Sequence, residues 1–184
     1  METGDIKTCK GVFLIKAEDI IIRKWQENDA VGVRNVLKLS WEKAYSSFIP
    51  QTDLDLYLDK TYSESLLRNM FNNPDFICYV AQFENTICGW LKLTMDKSEY
   101  RFYISSIYVL PEFQGMKIGD KLFNIACEEA ARNNYKEIYI GVMTQNAKAL
   151  KWYQNLGFKF NEEKPFIMGR TSVPHLIGSM ILNK

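Results

Sequence analysis

Hydrophobic and polar positions change period several times along the chain, and each change marks a predicted element. Ile20, Ile21 and Ile22 form a β-branched run that predicts a strand near residues 19 to 24, with Asn28 placed to cap a following helix. Val33, Leu37, Trp41, Ala44 and Phe48 then recur at helical spacing. After Pro50, the stretches Asp53 to Asp59 and Ser63 to Phe71 predict two shorter helices, the second capped by Ser63, and Asn72-Asn73-Pro74-Asp75 predicts a turn. Phe76 to Gln82 and Thr86 to Met95, joined by Phe83-Glu84-Asn85, predict a hairpin, and Arg101 to Leu110 a third long strand. From Lys117 to Arg132 the apolar positions Ile118, Leu122, Ile125, Ala126 and Ala130 mark one helical face. Lys136 to Met143 predicts a strand, Asn146 to Leu156 a helix stopped by Gly157, and Phe158 to Met168 and His175 to Leu182 two further strands. The order gives an α/β (α+β) fold with a mixed, mostly antiparallel central sheet of about seven strands flanked by helices.

Length and charge narrow the class. A chain of 184 residues fits one compact domain with its own core, here residues 19–184, behind an N-terminal extension of residues 1–18. Lys plus Arg total 23 against 22 Asp plus Glu, a formal charge of +1 with no long basic tract, which argues against nucleic-acid and anionic-membrane partners. The 4 cysteines, Cys9, Cys78, Cys88 and Cys127, lack the paired spacing of zinc sites and read as free thiols, so no metal is expected. Val12 to Ile15 is cut off by Lys16, Glu18 and Asp19, too short for a signal peptide or membrane span, and a cytoplasmic location is expected.

The most informative segment is Phe113-Gln114-Gly115-Met116-Lys117-Ile118-Gly119-Asp120-Lys121-Leu122, directly after the apolar run Ile104 to Leu110. It reads as strand, glycine-bearing turn and helix start. A helix N-terminus carries unpaired N–H groups and the positive end of the dipole, so such an entry suits a phosphorylated ligand. The loop lacks the Gly-Lys-Ser/Thr ending that P-loop magnesium chemistry requires.

Gln114, Gly115 and Gly119, a strand some twenty-five residues on, and then Asn146, Tyr153 and Leu156-Gly157-Phe158 together resemble the GNAT superfamily of acyl-CoA-dependent N-acetyltransferases. The family's phosphate loop is written Gln/Arg-x-x-Gly-x-Gly/Ala, and Lys117 stands where its first glycine belongs. The resemblance covers roughly residues 20 to 184, and Phe166-Ile167-Met168-Gly169 before a last strand is similar to bacterial PaiA-type spermidine/spermine acetyltransferases.

The resemblance implies acetyl-CoA as cosubstrate and a small-molecule amine, first a polyamine, as acceptor. Main-chain groups of Ile107 and Val109 would pair with the pantetheine arm. Backbone N–H groups of Gln114, Gly115, Met116, Lys117, Ile118 and Gly119, with Asp120 and Lys121 beginning the helix, would hold the pyrophosphate. Asn146 would hydrogen-bond the cofactor near its thiol arm, and Tyr153 would lie beside the sulfur as the catalytic proton donor. As turn, cap and core residues, Gln114-Gly115, Asn146 and Tyr153 also have plain structural readings. The N–H of Val109 or Leu110 is the expected oxyanion donor.

The base is not legible. Many relatives place a Glu on the strand before the loop, where this chain reads Tyr103-Ile104-Ser105-Ser106-Ile107-Tyr108. Glu42 and Tyr45, on the first predicted helix, either face the acceptor cleft or, as the favoured reading, form a solvated charge and a core aromatic, and His175 reads as structural or exposed. Asp53, Asp55, Asp59 and Glu64 either wall a polyamine site or form a solvated face. Leu176, Ile177, Met180 and Ile181, expected at a sheet edge, suit either a homodimer or packing on helices. The alternatives to a polyamine enzyme are an acetyltransferase for a peptide amine and a regulatory module that binds acetyl-CoA without efficient transfer.

Overall fold

The computed structural model describes residues 7–9 and 13–182; the rest of the expected extension lies outside them. β1 (Lys7–Cys9) and β2 (Phe13–Ile15) pair antiparallel as a separate ribbon. β3 (Ile20–Lys24), β4 (Phe76–Phe83), β5 (Thr86–Asp96), β6 (Arg101–Val109), β7 (Glu137–Met143), β8 (Lys159–Met168) and β9 (Thr171–Ile181) form a seven-stranded sheet in the order β3-β4-β5-β6-β7-β9-β8. Every pair is antiparallel except β6 with β7. The helices are α1 (Ala30–Tyr45), α2 (Gln51–Tyr62), α3 (Glu64–Met70), α4 (Ile118–Arg132) and α5 (Ala147–Asn155).

The central strands are buried on both faces, which explains their near-continuous apolar runs. Trp90, Leu91 and Leu93 of β5 are fully buried. The register between β4 and β5 slips at Cys88, pairing Ala81 with Gly89 but Gln82 with Ile87. That bulge turns Ile87 towards Gly32 of α1 and Gly89 towards Ile118 and Leu122 of α4, so the sheet is covered from both sides.

Three local expectations are corrected. Asn28 does not cap α1, which starts after a 3-10 turn at Glu27–Asp29. Arg23 at the end of β3 donates to both oxygens of Asp29 at 2.7 and 2.8 Å, and Asp29 accepts from the Gln26 N–H at 2.7 Å. That fork selects Asp29 over its neighbour. β9 begins at Thr171 instead of His175. Pro174 lies opposite Pro165 and directs its carbonyl to the Thr144 N–H at 3.0 Å, so neither missing N–H interrupts the β8–β9 ladder. β9 is also interior; the edge belongs to β8, whose Glu162, Glu163, Lys164 and Pro165 discourage strand addition. The other punctuation falls where the pattern puts it: Ser63 Oγ accepts from the Leu66 N–H at 3.4 Å, and Gly157 ends α5 at φ +101°.

Candidate active site

β6 and β7 pair over three residues only, Phe102 to Ile104 with Ile138 to Ile140, and then part. Beyond that point Leu110 donates its N–H to the Cys88 carbonyl at 2.9 Å, so the antiparallel alternation turns the main-chain groups of Val109 and Ile107 away from β5 and into the gap. The Val109 carbonyl is taken up by the side chains of Ser40 at 3.3 Å and Gln114 at 3.2 Å. The Val109 N–H has no strand to meet. Leu110 is excluded as an oxyanion donor because its N–H is committed to Cys88.

The turn after β6 leads into α4 through two left-handed residues, Gly115 at φ +87° and Lys117 at φ +57°. Lys117 therefore takes the backbone shape that a glycine takes without cost, at the place where the family's loop has its first glycine. Met116 and Ile118 are buried and anchor the turn in the core. No side chain caps α4, so the N–H groups of Ile118, Gly119 and Asp120 are left to outside partners. The Gln114 N–H instead donates to Pro111 at 3.3 Å.

At Lys121 both groups are engaged, the N–H with the Lys117 carbonyl at 3.1 Å and the ammonium with the Ala17 carbonyl at 2.9 Å. Asp120 accepts from Trp152 Nε1 at 3.1 Å, tying α4 to α5. Lys148 donates to Gln114 Oε1 at 2.8 Å and brings an ammonium to the loop that the sequence reading missed.

Asn146 caps α5, its Oδ1 accepting from the Ala149 N–H at 3.2 Å. Tyr153, on the same helix, is 4% exposed and packs on Trp152 and Phe158 with ring centroids at 4.7 and 5.3 Å. Burial holds its hydroxyl well above the ordinary phenol value, with nearby Tyr108 adding to the effect. The group is therefore protonated at neutral pH.

A cleft of about 180 Å³ opens where β6 and β7 part. α1 contributes Trp41 and Tyr45, α2 contributes Tyr57 and Tyr62, and β6 contributes Tyr103 and Tyr108. Phe166 of β8 and His175 of β9 close the far wall. The hydroxyls of Tyr45 and Tyr108 stand 3.2 Å apart. Burial pushes both phenols up, and hydrogen bonds from Tyr108 and Asn146 pull Tyr45 the other way.

Among the described residues no carboxylate, lysine or arginine lines the cleft. The acidic cluster lies elsewhere: Asp53 accepts from Thr171 Oγ1 at 2.6 Å, Asp55 from Gln51 at 2.9 Å, Asp59 pairs with Arg34, and Glu64 with Arg68 at 3.9 Å. His175, read from the sequence as structural or exposed, is a cleft residue, and so is Tyr45, for which the sequence leaves a cleft-facing place open.

Main-chain groups at Ile107 and Val109 left without a strand partner towards β7, above a glycine-bearing helix entry, fit what the sequence resemblance implies, and comparison with known proteins agrees on the family. The model of the acetyltransferase (GNAT) family matches residues 36–158. The chain belongs to the GNAT family. An uncharacterised N-acetyltransferase of Methanocaldococcus jannaschii is 33% identical over 134 residues, 69% of this chain and 55% of that protein, so the chain spans little more than half of that relative's length. A probable spermine N(1)-acetyltransferase of Bacillus subtilis subsp. natto is 28% identical over 72 residues, 39% of this chain and 47% of that protein. The PaiA N-acetyltransferase of Thermoplasma acidophilum, solved with coenzyme A, superposes with a TM-score of 0.75 and 22% identity, covering 86% of this chain and 97% of that one. At that identity the likeness is one of fold. Within this GNAT chain the strand before the loop offers the cleft only serine and tyrosine hydroxyls, and the wall built by β8 and β9 supplies the imidazole.

Proposed function

We propose that the chain moves an acetyl group from acetyl-CoA to the primary amine of a small molecule, a polyamine first among acceptors, by direct attack in a ternary complex. The observation that carries this is the parting of β6 and β7, which leaves the backbone of Ile107 and Val109 facing a gap that opens onto the aromatic cleft. Amides of a pantetheine arm would complete that sheet edge. The N–H groups from Gly115 to Asp120 would hold the pyrophosphate, with the ammonium groups of Lys117 and Lys148 close to its charge. The amine would attack the thioester carbonyl, the Val109 N–H would donate to the developing oxyanion, and Tyr153 would protonate the departing sulfur.

A phenol is a weaker acid than a thiol, by about 2 kcal/mol for ordinary values near 10 and 8.5. Tyr153 therefore hydrogen-bonds the thiolate early and transfers its proton late. Polyamine binding is supported by the name of the Bacillus relative and by ring faces that attract ammonium groups, each worth about 0.5–2 kcal/mol. Ion pairs with the acidic cluster do not contribute, because those carboxylates are occupied outside the cleft.

The test is acetyl-CoA-dependent thiol release with spermidine, spermine, small monoamines and a peptide bearing a free amine. Saturable release with a polyamine supports the whole reading, and release with another amine keeps the chemistry and changes the acceptor. Tight acetyl-CoA binding without release for any amine favours a regulatory module.

A further inference from the structure

The acceptor cleft has a proton to dispose of and, among the described residues, no carboxylate to take it. An alkylamine with a pKa near 10.4 is only about one part in a few thousand neutral at pH 7. Hydroxyls of serine and of buried tyrosines do not remove a proton from an ammonium group at that pH. One lining side chain carries a basic nitrogen at that pH: His175, the single histidine of the chain.

Its place is built with care. On β9, His175 stands opposite Met143 of β7 and Lys164 of β8. The imidazole lies over Gly141, where an added Cβ would come within 2.1 Å of Cε1, and against Phe166, with ring centroids 5.0 Å apart. Any other residue at Gly141 would push the ring from this seat. Resting on the acetyltransferase reading, we propose that His175 is a catalytic residue of the cleft, the group that accepts the proton of the acceptor ammonium before attack.

The surroundings keep the imidazole neutral and receptive. Burial lowers its affinity for a proton, and a hydrogen bond to the Gly141 backbone opposes that in part. A neutral ring that donates to this backbone keeps its other nitrogen as an acceptor. The titratable groups that share the cleft with it are the phenols of Tyr103 and Tyr108 from β6, Tyr45 from α1, and Tyr57 and Tyr62 from α2. Lys164, across the ladder on β8, has its ammonium held by Glu162 at 2.7 Å. Lys92, on β5 behind Tyr62, lies over the rings of Phe76 and Tyr62 at 4.3 and 5.4 Å. Among the described residues no carboxylate lines the cleft beside His175 to hold it charged.

The step balances. The ammonium gives one proton to His175 and becomes a free amine, whose nitrogen lone pair forms the N–C bond at the thioester carbonyl. Collapse of the adduct breaks the C–S bond, and the thiolate takes the Tyr153 proton. The second nitrogen proton restores Tyr153, and imidazolium returns its proton to water. The products are the acetamide, the thiol and one released proton.

The test compares pH profiles of kcat/KM for the wild type and for His175→Gln, with acetyl-CoA affinity as the check on folding. With His175 as base, the wild type is flat between pH 7 and 9 and falls on an acidic limb. His175→Gln is expected to lose about a hundredfold at pH 7 and to climb about tenfold per pH unit towards the pKa of the amine. Equal profile shapes, whatever the loss, overturn the assignment and leave the acetyltransferase reading standing. Absence of turnover in the wild type removes both together. A second measurement needs no variant: the wild-type acidic limb should stay in place when spermidine is replaced by a weakly basic fluorinated ethylamine. A limb that moves with the pKa of the amine overturns the role of His175.

Discussion

Gly141 and His175 are fitted to one another, since a Cβ on Gly141 would stand 2.1 Å from Cε1 and 2.5 Å from Nε2 of the imidazole. Such distances are far inside van der Waals contact, so Gly141→Ala must displace the ring. A displaced base loses about a hundredfold in rate for an ångström of misplacement. Gly141→Ala is therefore expected to lower kcat/KM for the amine by about that factor while acetyl-CoA affinity, measured by calorimetry, stays within about twofold. Unchanged turnover would show that the ring position does not matter.

Lys117 holds a left-handed conformation at the entrance of α4, which costs a residue with a Cβ about 1–2 kcal/mol. Lys117→Gly removes that cost and adds flexibility to the unfolded chain, so stability should move by less than about 1 kcal/mol. Lys117→Val, with a branched Cβ at positive φ, should lose about 1–2 kcal/mol. Urea denaturation of the three proteins checks the pair.

Asn146 has two separable duties. Its Oδ1 caps α5, and its amide lies beside the Tyr45 hydroxyl. Asn146→Ser keeps a capping oxygen and should hold stability within a few tenths of a kcal/mol, whereas Asn146→Ala should lose about 1 kcal/mol. If the amide also meets the cofactor, both variants weaken acetyl-CoA binding. Loss of affinity in the alanine variant alone would leave only the cap.

The Arg23–Asp29 fork gives stability a defined pH dependence. Burial pushes the Asp29 carboxyl up, but the guanidinium and the Gln26 N–H outweigh it and hold the group below the usual carboxylate range. Its contribution is then fully present above the unfolded value near 3.9 and is lost as pH falls through the lower folded value. Asp29→Asn should cost about 1–2 kcal/mol at pH 7, and in denaturation curves the gap from the wild type should narrow as pH falls below the unfolded carboxyl value near 3.9.

Much of the fold was legible because it is written locally. β-branched runs, the Ser63 cap, the Gly157 stop and the face of α4 each depend on residues within a turn or two. The phosphate-loop segment was legible for the same reason. The cleft was not, since Tyr45, Tyr108 and His175 meet only after β9 inserts between β7 and β8. One signal was present: Gly141 interrupts an apolar strand, and a glycine there marks a close approach, in this case by an imidazole 34 residues later. The acidic cluster stayed open between a cleft wall and a solvated face because the partners of Asp59 and Asp53, Arg34 and Thr171, are distant in sequence. Asn28 misled because the entry to α1 is fixed by Asp29, which binds Arg23 of the preceding strand and the Gln26 N–H.

The central claim is that this cleft transfers an acetyl group with Tyr153 at the leaving sulfur, and Tyr153→Phe tests it most directly. The hydroxyl has no hydrogen bond to another described residue that its removal would break, so the variant should fold and bind acetyl-CoA as the wild type does. Measured beside the wild type with the best acceptor amine, thiol release should fall by about a hundredfold or more with acetyl-CoA affinity unchanged. Full turnover in Tyr153→Phe would contradict the account.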